Sequence, residues 1–458
     1  MQNQLEYRPT RQILILAWPV VLEMCLHTMY WICDAAMVMR LGAREASAVE
    51  YAATLIFSIM ATCGAIGIGV NSLVARLVGG GDYRSAGRTA GQAVSVSLGI
   101  TVLLALILGL VGKPFCLWAI KDGPTAALTV EYFYTTLFRG GIGMMMILVI
   151  NGVIRGMGHT RVSMYIALAM NLFNIFFDYV LIFGKLGFPA LGVRGAALAT
   201  GTAQILGVIL SALYLYRSRH LLQLSRDSFY PFKREVVKEI FSISLPAGAE
   251  EVVHHFGRVI SLTWIAALGP ISFAANTAAV AVESFSFMPG AAFAVAATTL
   301  VGRRLGAGEP RKAVKTGSLA AFMAVGMMGA IGLVFFFFPH YIMKIFSPPE
   351  AEVLHLGMAC LRIAAVEQPF IAIAYTLGGA LKGAGDTRGP FLVGAVACFL
   401  VRLPLIYAVV YIFRLSVTYI WWGTAIQYLV ASLLMLRLYR RAQWHRLARK
   451  PFYAGSGK

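Results

Sequence analysis

Acidic side chains lie inside long apolar stretches of this sequence, where a charged group is costly. Asp34 lies deep in the first apolar stretch, and Asp178 lies in the segment NLFNIFFDYVLIF, four residues after Asn174. Residues four apart project from the same side of a helix. Neither carboxyl group has a cationic residue within one turn of its own helix. Such a group can take up a proton on one side of a membrane and release it on the other. With amide oxygens, Asp34, Asn174 and Asp178 can instead coordinate Na⁺.

Other polar residues occur at similar depth in the chain. Glu23 and His27 share a helical face with Asp34, at spacings of four and seven residues, and Tyr30 lies close by. Asn151 lies near the end of the fourth apolar segment. A candidate polar site in the second half of the chain consists of Glu250, Glu251, His255, Glu283 and Glu367.

The residues in the second half also have a purely structural interpretation. Arg258 with Glu251, and Arg362 with Glu367, would neutralise each other across neighbouring helices. The pattern alone leaves both interpretations open for this group. Asp34 and Asp178 favour a functional role, because each lacks a cation nearby on its own helix.

The elements that must position these residues are membrane-spanning helices. Of the 458 residues, 59% are hydrophobic and only 13% are charged, whereas soluble domains have about 25% charged residues. About 20 apolar residues cross a bilayer as a helix. Hydropathy predicts twelve spans, at residues 12–39, 46–75, 85–112, 125–154, 160–184, 190–216, 236–267, 272–301, 311–338, 352–381, 387–412 and 418–442. The fold class is therefore all-α and integral to the membrane.

The basic residues predict the orientation of these spans. The connections on the side of the N-terminus, together with the C-terminal tail, carry 27 lysines and arginines, and the opposite connections carry 8. This bias predicts that both termini are cytoplasmic. It also explains the net charge of +19 without nucleic acid, because the charge marks topology and favours contact with anionic lipid headgroups.

The two halves of the sequence are similar at one fixed spacing, the one that separates Pro19 from Pro246, and we call it the repeat spacing. The other pairs that it matches include Glu23 and Glu250, Gly42 and Gly269, Arg76 and Arg303, Gly81 and Gly308, Gly152 and Gly379, Arg155 and Lys382, Gly156 and Gly383, and Gly158 and Gly385. Further along, a spacing longer by one residue matches Gly195 with Gly423. Each half has six spans, so both halves enter the membrane from the same side. Parallel repeats of this kind are typical of secondary transporters, with the site between the halves.

The repeat divides the chain into four predicted parts. Residues 1–217 form an N-terminal lobe of six helices, and residues 218–235 form a cytoplasmic linker. Residues 236–442 form a C-terminal lobe of six helices, and residues 443–458 form a basic cytoplasmic tail.

Taken together, these motifs resemble the multidrug and toxic compound extrusion (MATE) family, prokaryotic type, over essentially the whole chain. The resemblance depends on Pro19 followed fifteen residues later by Asp34, and on NIFFDYVLIFG at the end of the fifth span. It also depends on RLVGGGDYRSA with its counterpart RRLGAGEPRKA, and on the turns NGVIRGMGHTR and GGALKGAGDTR.

The resemblance implies two six-helix lobes around a central cavity, with a polar cluster in the N-terminal lobe that handles the coupling ion. That cluster corresponds to Asp34, Asn174, Asp178 and Asn151, and Thr200 is the nearest match to a threonine of the sixth helix. The proline at which the first helix bends corresponds to Pro19. Some relatives bind the cation in the C-terminal lobe, but the tenth span of this chain lacks their acidic pair.

The sequence thus predicts an antiporter of the cell inner membrane, driven by H⁺ or Na⁺, that exports organic cations or amphiphiles by alternating access. It predicts a monomer in contact with membrane lipids, with no cofactor other than the coupling ion. A flippase for lipid-linked saccharides or lipids, of the same superfamily, is the main alternative, although a basic cavity would suit pyrophosphate-linked saccharides better. A membrane-embedded enzyme is the remaining alternative, and the sequence has no pairing of nucleophile and base, HExxH motif or phosphate-binding loop.

Overall fold

The computed structural model describes residues 9–346 and 350–449, and twelve long helices account for most of this part of the chain. Short helices lie at Arg219–Leu222, Pro339–Phe346 and Trp444–Arg449. We number the long helices in chain order: α1 Pro9–Met39, α2 Ala43–Gly79, α3 Tyr83–Ala119, α4 Gly123–Gly156, α5 Thr160–Phe183, α6 Val193–Arg217, α7 Arg234–Ala266, α8 Pro270–Gly306, α9 Pro310–Phe337, α10 Ala351–Gly383, α11 Arg388–Ile412 and α12 Val417–Arg441.

Helices are the expected form of these segments, because lipid provides no hydrogen-bond partner for an exposed backbone group. Within the described residues, ten helices are long and apolar enough to cross a membrane. The other two long helices are α2, which is described only in part, and α7, which carries Glu250, Glu251 and Arg258. The predicted all-α membrane fold is confirmed, and each of the twelve predicted spans coincides with one helix.

The repeat in the sequence corresponds to a repeat in backbone conformation at the turns. Gly42 and Gly269, Gly81 and Gly308, and Gly158 and Gly385 all have positive φ angles, between 72° and 149°. This region of φ favours glycine because it has no Cβ atom. The glycines that match at the repeat spacing therefore mark three turns that each half of the chain makes in the same way.

The repeat also fixes how closely two pairs of helices approach. A Cβ atom on Gly152 of α4 would collide with the backbone of Gly67 in α2. In the second half, a Cβ atom on Gly379 of α10 would collide with the backbone of Ala294 in α8. Small residues allow helices in membranes to approach closely. The matched glycines thus bring α2 against α4, and α8 against α10.

One pair of matched turns has diverged in its side-chain contacts. Asp82 caps α3 by accepting a hydrogen bond from the backbone N–H of Ser85 at 3.0 Å. At the equivalent position, Glu309 accepts hydrogen bonds from Lys312 at 2.6 Å and from Arg304 at 2.9 Å. These bonds, chiefly that from Lys312, lower the pKa of the Glu309 carboxyl group. The turn in the first half is therefore stabilised by a bond from the backbone to a side chain, and the turn in the second half by bonds between side chains.

Helix α11 differs from its counterpart α5. Helix α5 has 24 residues and is α-helical throughout, whereas α11 has 25 residues and contains π-helical turns at Ala397–Arg402 and Ala408–Ile412. A π-helical turn is a local widening within an α-helix. Both turns lie in the part of the second half where the repeat spacing becomes one residue longer. The first of these turns ends at Arg402.

Contacts divide the chain into two compact units. The N-unit consists of Leu22–Gly248. The described part of the C-unit consists of residues 9–21 and 249–449. The chain passes from one unit to the other inside α1 and again inside α7, two residues after Pro19 and Pro246. Proline interrupts the hydrogen bonding of a helix and bends it, so each crossing lies at a point where the helix is weakened.

Each unit has its own hydrophobic core. In the N-unit, Val70 and Leu73 of α2 pack with Ile150 of α4, and Ile240 at the start of α7 joins them. In the C-unit, residues of α8, α10 and α12 pack with Ile13 near the start of α1. The first few turns of α1 and of α7 thus belong to a different unit from the rest of the same helix.

Candidate functional site

The structure places the predicted acidic residues of the N-unit in one buried cluster. Asp178 and Asn174 lie one turn apart on α5 and are 0% and 2% exposed. Asp34 of α1 is half-buried and lies within electrostatic range of Asp178. Thr200 of α6 is buried, and its Oγ1 atom lies 3.5 Å from Oη of Tyr30 in α1. We call Asp34, Asn174, Asp178, Thr200 and Tyr30 the N-cluster.

Two further residues lie beside the N-cluster. Tyr132 of α4 is 3% exposed and interacts electrostatically with Asp34, Tyr30 and Asp178. Glu50 of α2 lies within electrostatic range of Asp34. Nothing in the sequence marks Tyr132, because one aromatic residue in an apolar helix is ordinary. Tyr30 is different, since its position one turn before Asp34 is a signal in the sequence, although the predicted site does not include it.

The polar atoms of the N-cluster are largely without protein partners. Within the described residues, no hydrogen bond reaches Oδ1 of Asp34, either carboxylate oxygen of Asp178, or either side-chain amide atom of Asn174, and all five atoms are enclosed. Buried polar groups in folded proteins are nearly always hydrogen-bonded. Carboxylate and amide oxygens gathered in this way can hold a proton or a small hard cation.

Local features of the sequence explain how α5 presents Asn174 and Asp178. Helix α5 begins at Thr160, after a turn at Gly158 with a φ of 72°. It ends at Gly184, whose left-handed conformation accompanies a bond from its N–H to the carbonyl of Val180. Glycine in this conformation is a common helix terminator. The two turns fix the length of α5 and hence the depth of Asn174 and Asp178.

Asn151, the remaining residue predicted for the coupling site, lies on α4. It is half-buried on α4, and its Oδ1 atom is enclosed without a hydrogen-bond partner in the part of the chain that the structure describes. One turn further along α4, Arg155 donates a hydrogen bond of 2.7 Å to Glu23 of α1. Of the three residues predicted on one face of α1, Glu23 is therefore engaged in an ion pair, whereas Asp34 forms none with the residues that the structure describes.

The C-unit contains a second buried group of acidic residues. Glu283 of α8 and Glu367 of α10 are 6% and 0% exposed and interact with each other. Arg402 of α11 and Tyr428 of α12 lie within electrostatic range of both, and Tyr375 of α10 lies within range of Glu283. We call Glu283, Glu367, Arg402, Tyr375 and Tyr428 the C-cluster. It differs from the N-cluster in containing an arginine.

The cation near Glu367 is thus Arg402, whereas the sequence pattern suggests Arg362. Arg362 is exposed and forms no ion pair among the described residues. The signal for Arg402 is its location inside a predicted span. The π-helical turn that ends at Arg402 has no hydropathy signature.

The remaining predicted residues of the C-unit lie on α7. Glu250 pairs with Lys382 of α10 at 2.9 Å. His254 interacts electrostatically with Glu250 and Glu251. His255 lies against Arg258, which is exposed. The structure therefore places His254, and not the predicted His255, among the acidic residues of α7. The suggested pairing of Arg258 with Glu251 is not among the ion pairs of the described residues.

Among the described residues, no group of three or more histidine, cysteine, aspartate or glutamate side chains is arranged to hold a metal ion. A cation at the N-cluster would depend on amide and hydroxyl oxygens in addition to its two carboxylates. Weakly bound hard cations use such oxygens as ligands.

Comparisons with known proteins agree with the two-unit fold. A family model described as MatE matches residues 19–180 and again residues 246–408. A relative described as "Probable multidrug resistance protein NorM" from Thermotoga maritima is 27% identical over 438 residues, which cover 96% of this chain and 94% of that protein. The two matched ranges start at Pro19 and Pro246 and so reproduce the repeat spacing.

Solved structures show the same fold. A structure described as "Outward-facing conformation of a multidrug resistance MATE family transporter of the MOP superfamily" has a TM-score of 0.89 at 21% identity and covers 97% of both chains. A MOP superfamily transporter from Pyrococcus furiosus, described with reverse polarity of its binding pocket, gives the same TM-score and identity. These relatives are transporters and indicate no enzyme family. Since the family model covers most of the chain, once in each half, this protein belongs to the MATE family of multidrug efflux transporters.

Proposed function

We propose that this transporter is an antiporter that exports small organic cations or amphiphiles in exchange for H⁺ or Na⁺ bound at the N-cluster. The observation that carries the proposal is the proximity of half-buried Asp34 to buried Asp178, since the enclosed oxygens of both have no hydrogen-bond partner among the described residues. A carboxylate in this setting is costly unless it binds a cation or a proton. Binding of a proton or a cation therefore lowers the free energy of the N-cluster.

Coupling requires that the ion bind two conformations differently, because tight binding alone shifts no equilibrium. Asp34 lies on α1, whose chain passes from one unit to the other just after Pro19. A change in the bend at Pro19 would move Asp34 relative to Asp178, which lies on α5. The affinity of the N-cluster for the ion would change with it. Pro19 therefore serves as the hinge in this proposal.

The cargo class is proposed on the charge and aromatic content of the buried sites. Carboxyl groups attract cationic cargo, and aromatic rings such as those of Tyr30 and Tyr132 add cation–π attraction. The description of the Thermotoga relative as a probable multidrug resistance protein supports an organic cargo. We further propose a monomer in the inner membrane, with both termini in the cytoplasm, on the basis of the bias in basic residues.

Efflux from proteoliposomes tests the coupling. A fluorescent organic cation is loaded, and a pH gradient and a Na⁺ gradient are imposed in separate experiments. We expect one of the two gradients to drive export by the wild type, and Asp34→Asn and Asp178→Asn to export no faster than liposomes without protein. Glu352→Gln is the matched control, because Glu352 is an exposed carboxylate in the first turn of α10. Wild-type export by Asp34→Asn would refute the proposal.

The C-cluster is a second candidate for the coupling site, because Glu283 and Glu367 are as deeply buried as Asp178. Arg402 already supplies a positive charge there, so a further cation gains less. The same assay separates the two sites. Coupling at the N-cluster predicts that Glu367→Gln still exports under the effective gradient, whereas coupling at the C-cluster predicts that only Glu283 and Glu367 variants lose export.

A further inference from the structure

Two half-buried ion pairs occupy equivalent places in the two halves of the chain. Glu23 Oε1 of α1 lies 2.7 Å from Arg155 Nη2 of α4, and the side chains are 11% and 22% exposed. Glu250 Oε2 of α7 lies 2.9 Å from Lys382 Nζ of α10, and these side chains are 14% and 15% exposed. Both members of the first pair are matched to those of the second at the repeat spacing. The repeat has therefore produced the same contact twice.

Stability is a weak explanation for this duplicated contact. Removing two charges from water costs free energy that their attraction often fails to recover, and apolar side chains of similar size usually serve as well. Both pairs nevertheless have the same geometry, with an acid in the first helix of the half and a base in the last turn of the fourth. A contact kept in this form is better explained by a role in positioning the two helices.

Both ion pairs lie close to a proline inside a helix. Glu23 follows Pro19 by four residues, and Glu250 follows Pro246 by four residues. Each glutamate is the second residue of its helix to belong to the unit that it enters. Each ion pair thus fastens the helix to its unit immediately after the crossing.

The first pair also links the helices that carry the coupling residues. Asp34 lies eleven residues after Glu23 on α1, which is three turns. The polar connections between this part of α1 and the rest of the N-unit include the Glu23–Arg155 pair at one end and the approach of Tyr30 to Thr200 near Asp34. The depth and rotation of Asp34 therefore depend on where Glu23 is held.

We propose that Glu23 with Arg155, and Glu250 with Lys382, are positioning residues that clamp α1 to α4 and α7 to α10 just beyond the prolines. With the clamp in place, a conformational change bends the helix at the proline instead of sliding it along its neighbour. In the N-unit the clamp fixes the level of Asp34 along α1, so a bend at Pro19 changes the distance from Asp34 to Asp178 without sliding α1 along its neighbour. This inference rests on the proposed function and adds residues that handle neither the ion nor the cargo.

Substitutions chosen from the repeat test the clamp by gradient-driven efflux. Glu23→Gln and Arg155→Gln should each slow export by at least about tenfold, because each removes one member of an ion pair that is largely withdrawn from water. The double variant should be no slower than the slower single variant. Arg155→Lys should export at nearly the wild-type rate, because lysine occupies the equivalent position 382, and Lys382→Arg should do so for the converse reason. Exchange of the charges in Glu23→Arg with Arg155→Glu should recover most of the loss.

An exposed ion pair is the matched control. Arg44 and Asp122 lie 3.6 Å apart with side chains 58% and 54% exposed, and exposed pairs contribute little. Asp122→Asn should leave export unchanged. Wild-type export by Glu23→Gln would overturn the clamp. So would a double variant whose loss equals the product of the two single losses, because the residues would then act independently.

A readout that needs no ion coupling separates failure of the clamp from failure of the proposed function. Cys33 precedes Asp34 on α1 and is partly exposed, so its reaction with a maleimide reports where this part of α1 lies. With the other five cysteines replaced by alanine, Glu23→Gln should change the labelling rate of Cys33 at least about threefold, while Arg155→Lys and Asp122→Asn leave it unchanged. An unchanged rate in Glu23→Gln overturns the clamp, whatever Asp34→Asn does to export.

Discussion

At the scale of single residues, the two units hold their buried carboxylates differently. In the N-unit, Asp34 and Asp178 lie within electrostatic range of Tyr30, whose hydroxyl group lies 3.5 Å from that of Thr200. In the C-unit, Glu283 and Glu367 lie near Arg402. A fixed cation makes the binding of a second cation less favourable, so the N-cluster is better suited than the C-cluster to bind a cation or a proton and release it. The two units share a fold, but their buried carboxylates have different charged neighbours.

The hydroxyl group of Tyr30 offers a test at this scale. Tyr30→Phe keeps the ring but removes the oxygen that lies 3.5 Å from Thr200 Oγ1. We expect the H⁺ or Na⁺ concentration that gives half-maximal efflux to rise roughly fivefold, since one polar contact contributes about 1 kcal/mol. Tyr51→Phe is the control, because Tyr51 is 57% exposed. An identical ion dependence in Tyr30→Phe and the wild type would remove Tyr30 from the site.

At the scale of helices, glycines decide which neighbours can approach. The crossing of α2 with α4 depends on Gly152 against Gly67, and the crossing of α8 with α10 depends on Gly379 against Ala294. These contacts position the helices that carry Asn151, Glu283 and Glu367. The repeated glycines therefore influence the two sites only through the packing of the helices that carry them.

Substitution at a crossing should separate close packing from helix propensity. Gly152→Ala would place a Cβ atom against the backbone of Gly67, so we expect a loss of about 1–3 kcal/mol from overpacking. In detergent this loss appears as a lower midpoint of thermal unfolding. Gly99→Ala is the control, because a Cβ atom there meets nothing within 4 Å, and alanine favours a helix. Equal midpoints for the two variants would contradict the proposed role of the crossing.

At the scale of the whole molecule, the chain consists of two similar sets of six helices. The first few turns of the first helix in each set belong to the unit that the other set forms. Residues 9–21 belong to the C-unit, and the opening turns of α7, up to Gly248, belong to the N-unit. Each unit therefore contains part of the first helix of the other half. Helices α1 and α7 are thus the long helices within which the chain passes from one unit to the other.

The direction of insertion is the prediction for the whole molecule. Because basic residues favour the cytoplasmic side, a green fluorescent protein fused after residue 458 should fluoresce in cells, and alkaline phosphatase fused there should be inactive. Alkaline phosphatase fused after Lys185, in the exposed turn between α5 and α6, is the control and should be active. Active phosphatase at the C-terminus would reverse the orientation that we propose.

The sequence by itself predicts the features that depend on neighbours along the chain. Apolar length predicts the helices, since each span satisfies its own backbone hydrogen bonds. Glycines at a fixed spacing predict the repeat, because a positive φ angle is a local demand that glycine meets at little cost. Asn174 and Asp178 are placed together because one helical turn separates them.

Only the tertiary structure decided which distant side chains meet. Glu23 and Arg155 are 132 residues apart, and their contact depends on how α1 is rotated about its axis and where it crosses α4. The same is true of Arg402 near Glu367, and of His254 in place of His255 among the acidic residues of α7. Hydropathy carries little information about rotation when a helix is apolar on most sides. The exchange of helical turns between the units likewise has no local signal, because it follows from packing energies summed over many distant contacts.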